Sequence, residues 1–236
     1  MSNKNKKISL HRYLITVGFL LISSICLYNV LSYEQKPDPE SEKIILQAAA
    51  QQLKKYPNEL TDEDFAKILY LELCNVTISD LKPIEKFTNL QYLMMIDVKL
   101  NDIKSLRKLT NLNKLHLDNV NSPTNKIPTW IKIFDRLSLI DIDKKYSIDL
   151  SPIKKLDNLK EITLFLTRFK SLEPLSKLEH LEHIGIMGVD VFDLETLKEL
   201  KNLKSLGITD NSNITKKQVE DLRKALPEAG IYVDAK

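Results

Sequence analysis

A step of 22 residues runs through this chain and leaves few folds open to it. Ile68, Leu90, Leu112, Leu137, Leu159, Leu181 and Leu203 each open a similar phrase, at intervals of 22, 22, 25, 22, 22 and 22. A second apolar residue follows three positions on and a third five positions on. Leu90, Leu93 and Met95 show the pattern, as do Leu112, Leu115 and Leu117, and Leu159, Ile162 and Leu164. Self-similarity at a short fixed period is the mark of a solenoid, in which no unit buries its apolar side alone and each relies on its neighbours. Such a stack presents an extended surface and no closed cleft, so the step points towards binding and away from catalysis.

Within each unit the first, fourth and sixth positions point inward, which reads as a short strand. Apolar residues return at positions 11, 14, 17 and 20: Leu100, Ile103, Leu106 and Leu109 in the second unit, Val191, Leu194, Leu197 and Leu200 in the sixth. Triplet spacing suits a turn of 3₁₀ or α-helix on the opposite side. Pro83, Pro152 and Pro174 fall at the start of that turn, where a missing N–H costs little. The expected fold class is therefore α/β: a curved solenoid of about seven repeats over 68–209, with a parallel concave sheet and a 3₁₀ or helical convex side.

Two units depart from the period. The third carries three extra residues around 122–136, where Ile127, Trp130, Ile131 and Phe134 follow helical spacing and predict a longer convex helix anchored by Trp130. The fourth has Lys145, Tyr146 and Ser147 where apolar residues are expected, which predicts a bulged loop. Position nine holds Val76, Val98, Val120, Lys145, Thr167, Val189 and Asn211. Valine there replaces hydrogen bonding with packing, and the sequence leaves open what satisfies the loop amides.

Both ends read as caps, which an open stack needs to keep its last core layers from water. Over 41–67, Ser41 is expected to cap a helix running to about Tyr56, with Leu46, Ala49, Ala50 and Leu53 as its apolar stripe. Thr61 with Asp64 forms a capping-box variant for a second, short helix. Over 210–236, Thr215 and Gln218 repeat that signature, Val219, Leu222 and Leu226 make an inner stripe, and Ile231 to Val233 can add a last edge strand.

The N-terminal region has a different character. Residues 1–12 form a basic tail with Lys4, Lys6, Lys7 and Arg12; residues 13–31 carry no charge; residues 32–40 are a short linker with Pro37 and Pro39. The uncharged run would span roughly 28 Å as a helix, near the ~30 Å of a bilayer core. The flanking charges put the basic tail in the cytoplasm and the repeats outside, as a single-pass signal-anchor. A cleaved signal peptide, with secretion of the remainder, is the rival, and lipidation at Cys26 a more distant one. All three place the repeats beyond the cytoplasmic membrane. The formal charge of +3 falls to −1 without the four cations of the tail, 3 − 4, so the repeats offer no basic face for nucleic acid. Cys26 and Cys74 are the two cysteines, set in different segments, so no disulfide framework is expected and Cys74 reads as an unreactive thiol.

Phrases such as Ile78-Ser79-Asp80-Leu81-Lys82-Pro83-Ile84, with Thr88-Asn89-Leu90 after it, resemble bacterial internalin-type leucine-rich repeats. Leu60-Thr61-Asp62-Glu63-Asp64-Phe65 is similar to the cap helix that precedes them. The resemblance covers roughly 41–236 and implies a curved solenoid used for protein binding. No wall-sorting motif or second domain follows in this sequence, so the adhesin role of surface internalins is not carried over.

On the expected concave sheet, positions three, five and seven face solvent. Tyr70, Tyr92, Met94 and Ile96 form an apolar patch towards the N-terminal end, and Asp118, Asp141, Asp143 and Glu161 an acidic strip in the middle. Tyr70, Tyr92, Met94, Ile96, His116, Asp118, Asp141, Asp143 and Phe165 are the candidate contacts for a protein partner. The alternative is an exported carbohydrate- or wall-binding protein that uses Tyr70, Tyr92, His116 and the acids as a sugar face. No catalytic residue, cofactor, metal site or small-molecule substrate is expected. The five glycines make no phosphate-cradling loop, and the Asp141–Asp143 pair lacks further converging oxygen ligands. Asn75-Val76-Thr77 and Asn213-Ile214-Thr215 match the glycosylation sequon, a short motif that recurs by chance.

Overall fold

The computed structural model describes residues 40–121, 147–189, 191–211 and 213–235. The basic tail, the uncharged run and the linker lie outside the described residues. So does the stretch 122–146, with the helix predicted around Trp130 and the acids Asp141 and Asp143. Among the described residues no helix is long and apolar enough to cross a membrane.

The cap comes first. Helix α1 spans Ser41–Leu53 and buries Ile45, Ala49 and Ala50. It stops three residues before the predicted Tyr56, because Lys54 turns left-handed at φ 53° and returns its N–H to Ala50 and Gln51. Ser41 does not cap it; Glu40 occupies that position and makes no side-chain cap bond. The Ser41 hydroxyl is buried instead and accepts from the backbone N–H of Ser79, at 2.9 Å, tying the cap to the first repeat. Helix α2, Asp62–Phe65, has the predicted box: the Asp64 N–H meets Thr61 Oγ1 and the Thr61 N–H meets Asp64 Oδ2.

The repeats then follow as coils. Their strands are β1 Tyr70–Cys74, β3 Tyr92–Ile96, β5 Lys114–Asp118, β6 Glu161–Phe165, β7 His183–Met187 and β8 Ser205–Thr209. Two further short strands, β2 Thr77–Ile78 and β4 Lys99–Leu100, pair with each other just beyond the main sheet. Helix α3, Lys216–Ala225, follows with the predicted Thr215–Gln218 box, and β9, Gly230–Val233, closes the sheet as the predicted edge strand. Among the described residues the main sheet has seven parallel strands in the order β1-β3-β5-β6-β7-β8-β9. Five 3₁₀ turns, Lys82–Lys86, Lys104–Lys108, Ser151–Lys155, Glu173–Lys177 and Glu195–Glu199, run along the opposite side. Pro83, Pro152 and Pro174 are the second residues of their turns, at the start as expected.

Strand β5 pairs directly with β6, Lys114 opposite Glu161 and Asp118 opposite Phe165. The strand expected from the fourth unit, at Leu137, Ile140 and Ile142, therefore has no place between them. The third coil is a composite. It takes its strand from the third phrase and its inward residues Leu150, Ile153 and Leu156 from the fourth. The 47-residue offset from Lys114 to Glu161 is one 22-residue period plus 25 residues, the length of 122–146.

A second regularity supplies the loop bonds that position nine does not. Position eight is left-handed in every described coil: Asn75, Asp97, Asn119, Leu166, Gly188 and Asp210 all have positive φ. That turn aims the position-eight N–H at the next coil, so Asn75 donates to the Ile96 carbonyl, Asp97 to Asp118 and Asn119 to Phe165, each at 2.9 Å. Asparagine does form a ladder, but at position 22. The side-chain amides of Asn111, Asn158 and Asn202 donate to carbonyls of the coil before, and that of Asn89 to Ala66 of the cap, at 2.7 to 2.9 Å. Val98, Val120 and Val189 at position nine are buried, while Thr167 and Asn211 there make internal hydrogen bonds.

Candidate interaction face

Strand alternation sends every second residue of the sheet to its open face. Leu71, Leu93, Leu115, Ile162, Ile184 and Leu206 point into the core, and their neighbours point out. At the first edge, the rings of Tyr70 and Tyr92 lie 5.0 Å apart at 58°. Both are half-buried, and neither is sealed off by the cap. Met94 lies beside them, opposite Glu72 on one side and His116 on the other, and Ile96 lies between Cys74 and Asp118.

Glu72 binds two neighbours at once. Tyr70 donates its hydroxyl to Glu72 Oε2 at 2.6 Å, and the Cys74 thiol donates to Oε1 at 3.1 Å. These bonds hold the Glu72 carboxyl below its ordinary range. Burial, with the Glu72 charge behind it, pushes the Cys74 thiol up to about 11. The same two causes raise the Tyr70 hydroxyl. The expected inertness of Cys74 thus has a physical basis, since the thiolate is the reactive form.

Direct β5–β6 pairing rearranges the middle of the face. The predicted acidic strip does not form across these strands. Glu161 pairs with Lys114 at 2.8 Å, Asp118 faces Phe165, and Asp141 and Asp143 lie outside the described residues. What the pairing brings together is aromatic: His116 meets Phe165 edge to face, centroids 5.5 Å apart at 81°. Tyr70, Tyr92, Met94, Ile96, His116 and Phe165 therefore share four adjacent strands, β1, β3, β5 and β6. The sequence reading missed Met187, which follows Phe165 in the same row on β7, and Gly185 and Gly207, adjacent in the row of Met94 and His116. Among the described residues no group of three or more His, Cys, Asp or Glu side chains could hold a metal ion.

No protein-family model and no curated protein matches this sequence. Solved structures do match it. Internalin C2 from Listeria monocytogenes is 23% identical over 83% of this chain and 82% of its own, with a TM-score of 0.51. A leucine-rich repeat protein from Leptospira interrogans is 20% identical over 71% of this chain, with a TM-score of 0.53. The fold is the leucine-rich repeat solenoid. The match spans 38% of the Leptospira protein's length. In this leucine-rich repeat sheet the inward leucines make the core, and the outward rows carry no part of it.

Proposed function

We propose that this chain is a non-catalytic leucine-rich repeat module that binds a protein through the open, concave side of its sheet. The observation that carries the reading is the run of half-buried aromatic and apolar side chains on β1, β3, β5 and β6, held by a rigid parallel sheet. Soluble proteins seldom leave such a run without a use, and aromatic and methionine side chains are enriched at the centres of interfaces. We propose further that residues 13–31 tether the module to a membrane with the repeats outside. Four cations ahead of an uncharged run of membrane-spanning length support this. Resistance of the protein to alkaline extraction and a mature chain that still begins near Met1 are the expected results.

The binding reading is tested by placing a photo-cross-linking residue at Tyr92 and, separately, at Lys108 on the opposite side. A discrete adduct from position 92 and none from position 108 is expected, and Met94→Ala should abolish it. Equal labelling from both positions, or an adduct indifferent to Met94→Ala, would sink the proposal. If the adduct proves to be a glycan, the carbohydrate-binding reading takes its place.

A further inference from the structure

The two rims of the open face carry charge differently. Where the strands begin, Lys114 is paired with Glu161 at 2.8 Å and Lys204 with Glu182 at 2.6 Å, and Lys160 stands exposed between them. Where the strands end, positions seven to nine of all described coils contain no Lys or Arg. They contain Asp97, Asp118 and Asp210, and Asp234 stands at the same level after β9. None of these four carboxylates is in an ion pair among the described residues, and Asp97, Asp210 and Asp234 are exposed. Asp97 accepts from the Asn119 side chain and Asp234 from the Asp210 N–H, and both bonds leave the negative charge uncompensated.

The acids stand in two groups with an apolar stretch between them. Asp97 follows β3, Asp118 ends β5, and Asp210 and Asp234 follow β8 and β9. Phe165 and Met187 end the two strands between, in the same row as Asp118. Strands lie about 4.8 Å apart, so Asp118 and Asp210 are separated by roughly 14 Å. The floor beside this row is low. Gly185 and Gly207 are paired in register, and a Cβ built on Gly207 meets nothing within 4 Å. Neither has the positive φ that would demand glycine, and internal packing does not demand it at Gly207. Glycine in a strand is costly, and its use fits the close approach of another backbone.

Resting on the binding reading above, we propose that the face takes a basic polypeptide segment: one that crosses the strand ends with an apolar side chain against Phe165 and Met187, and a Lys or Arg on each side for the two acidic groups. Charge complementarity selects this occupant over an acidic or neutral one, because positions seven to nine of the described coils offer unpaired carboxylates and no cation. An extended segment covers about 3.3 Å per residue, so the flanking cations stand roughly four residues apart.

The test is selection of a random displayed peptide library on the full chain, followed by binding of the selected peptides to variants. Selected peptides should be net positive, with an apolar residue between cations. Their affinity should fall about tenfold in Asp118→Asn with Asp210→Asn, and also as salt rises from about 0.05 to about 0.5 M. Asparagine keeps the shape and tolerates the left-handed backbone of position 210, and unchanged thermal melting confirms that the variant is folded. Neutral or acidic peptides, or affinity indifferent to both acids, would overturn the charge assignment. If such peptides still lose binding on Tyr92→Ala with Met94→Ala, the open face stands as the binding surface and this inference alone fails. If no peptide is selected, or none responds to either pair of substitutions, both fall.

Discussion

Glu72 sets the chemistry of its neighbours by accepting from a phenol and a thiol together. In Glu72→Gln the negative charge that favours the protonated thiol is gone. The Cys74 titration should then move down from about 11, and alkylation near pH 8 should quicken as the thiolate fraction grows, followed as a pH–rate profile. Asp64 is the opposite case. It is buried, bonded to Lys55 at 2.7 Å and Lys67 at 3.1 Å, and caps α2. The Lys55 ammonium, then the Thr61 amide and Lys67, hold its carboxyl well below the usual range. A depressed pKa in the folded state contributes stability that is complete above the unfolded value, about 3.9, and is lost as pH falls below it. The melting temperature of Asp64→Asn should lie below wild type at pH 7, and the gap should narrow as pH drops below about 4. A gap independent of pH would show that the charge contributes nothing. The box at Thr61 and Asp64 was legible in the sequence because it is local; the two lysines and the burial came from packing.

Each coil is an element with its own local rule. Position eight must turn left-handed to send its N–H to the next coil, and among the described coils Asn, Asp and Gly fill it except at Leu166, φ 47°. A leucine there carries a steric penalty of about 1–2 kcal/mol that asparagine largely avoids. Its side chain also gains little from burial, being half exposed and lying over Gly188, where an added Cβ would come within 2.5 Å of Leu166 Cδ2. Leu166→Asn should therefore stabilise the protein by about 1 kcal/mol in denaturant unfolding; a loss of stability would mean that Leu166 packs more usefully than its exposure indicates. The position-eight rule is visible in the sequence once the frame is set, yet Asn and Asp are common enough on surfaces for the ladder to pass unnoticed. The asparagines of position 22 were legible only as part of a family-like phrase. Their carbonyl partners lie in the preceding coil, which a reading along the chain does not connect.

At the scale of the whole molecule, the stack is continuous although its sequence is not. Residues 112–121 and 147–158 together make 22, ten plus twelve, one complete coil. Removal of 122–146 by joining Asn121 to Ser147 should leave a folded stack, with the helix and strand signal and the cooperative melting of the parent. Failure to fold would show that these 25 residues are integral to the core. The same geometry reshaped the candidate face. The apolar patch of Tyr70, Tyr92, Met94 and Ile96 came through intact because its strands are consecutive in both sequence and space. The acidic strip requires the fourth phrase to form the strand next to β5, and direct β5–β6 pairing puts Phe165 beside Asp118 instead.

The sequence by itself determined the period, the inward leucines, the 3₁₀ side, the capping boxes and the closing strand. These depend on residues within one unit, where spacing alone fixes which way a side chain points. Only the tertiary structure decided which strands are neighbours. A phrase such as Leu137, Ile140 and Ile142 satisfies the local pattern as well as any other, but a place in the sheet also requires its whole coil to stack on both neighbours. The described coils meet that requirement by joining β5 to β6, a pairing set by contacts between coils that no single phrase encodes.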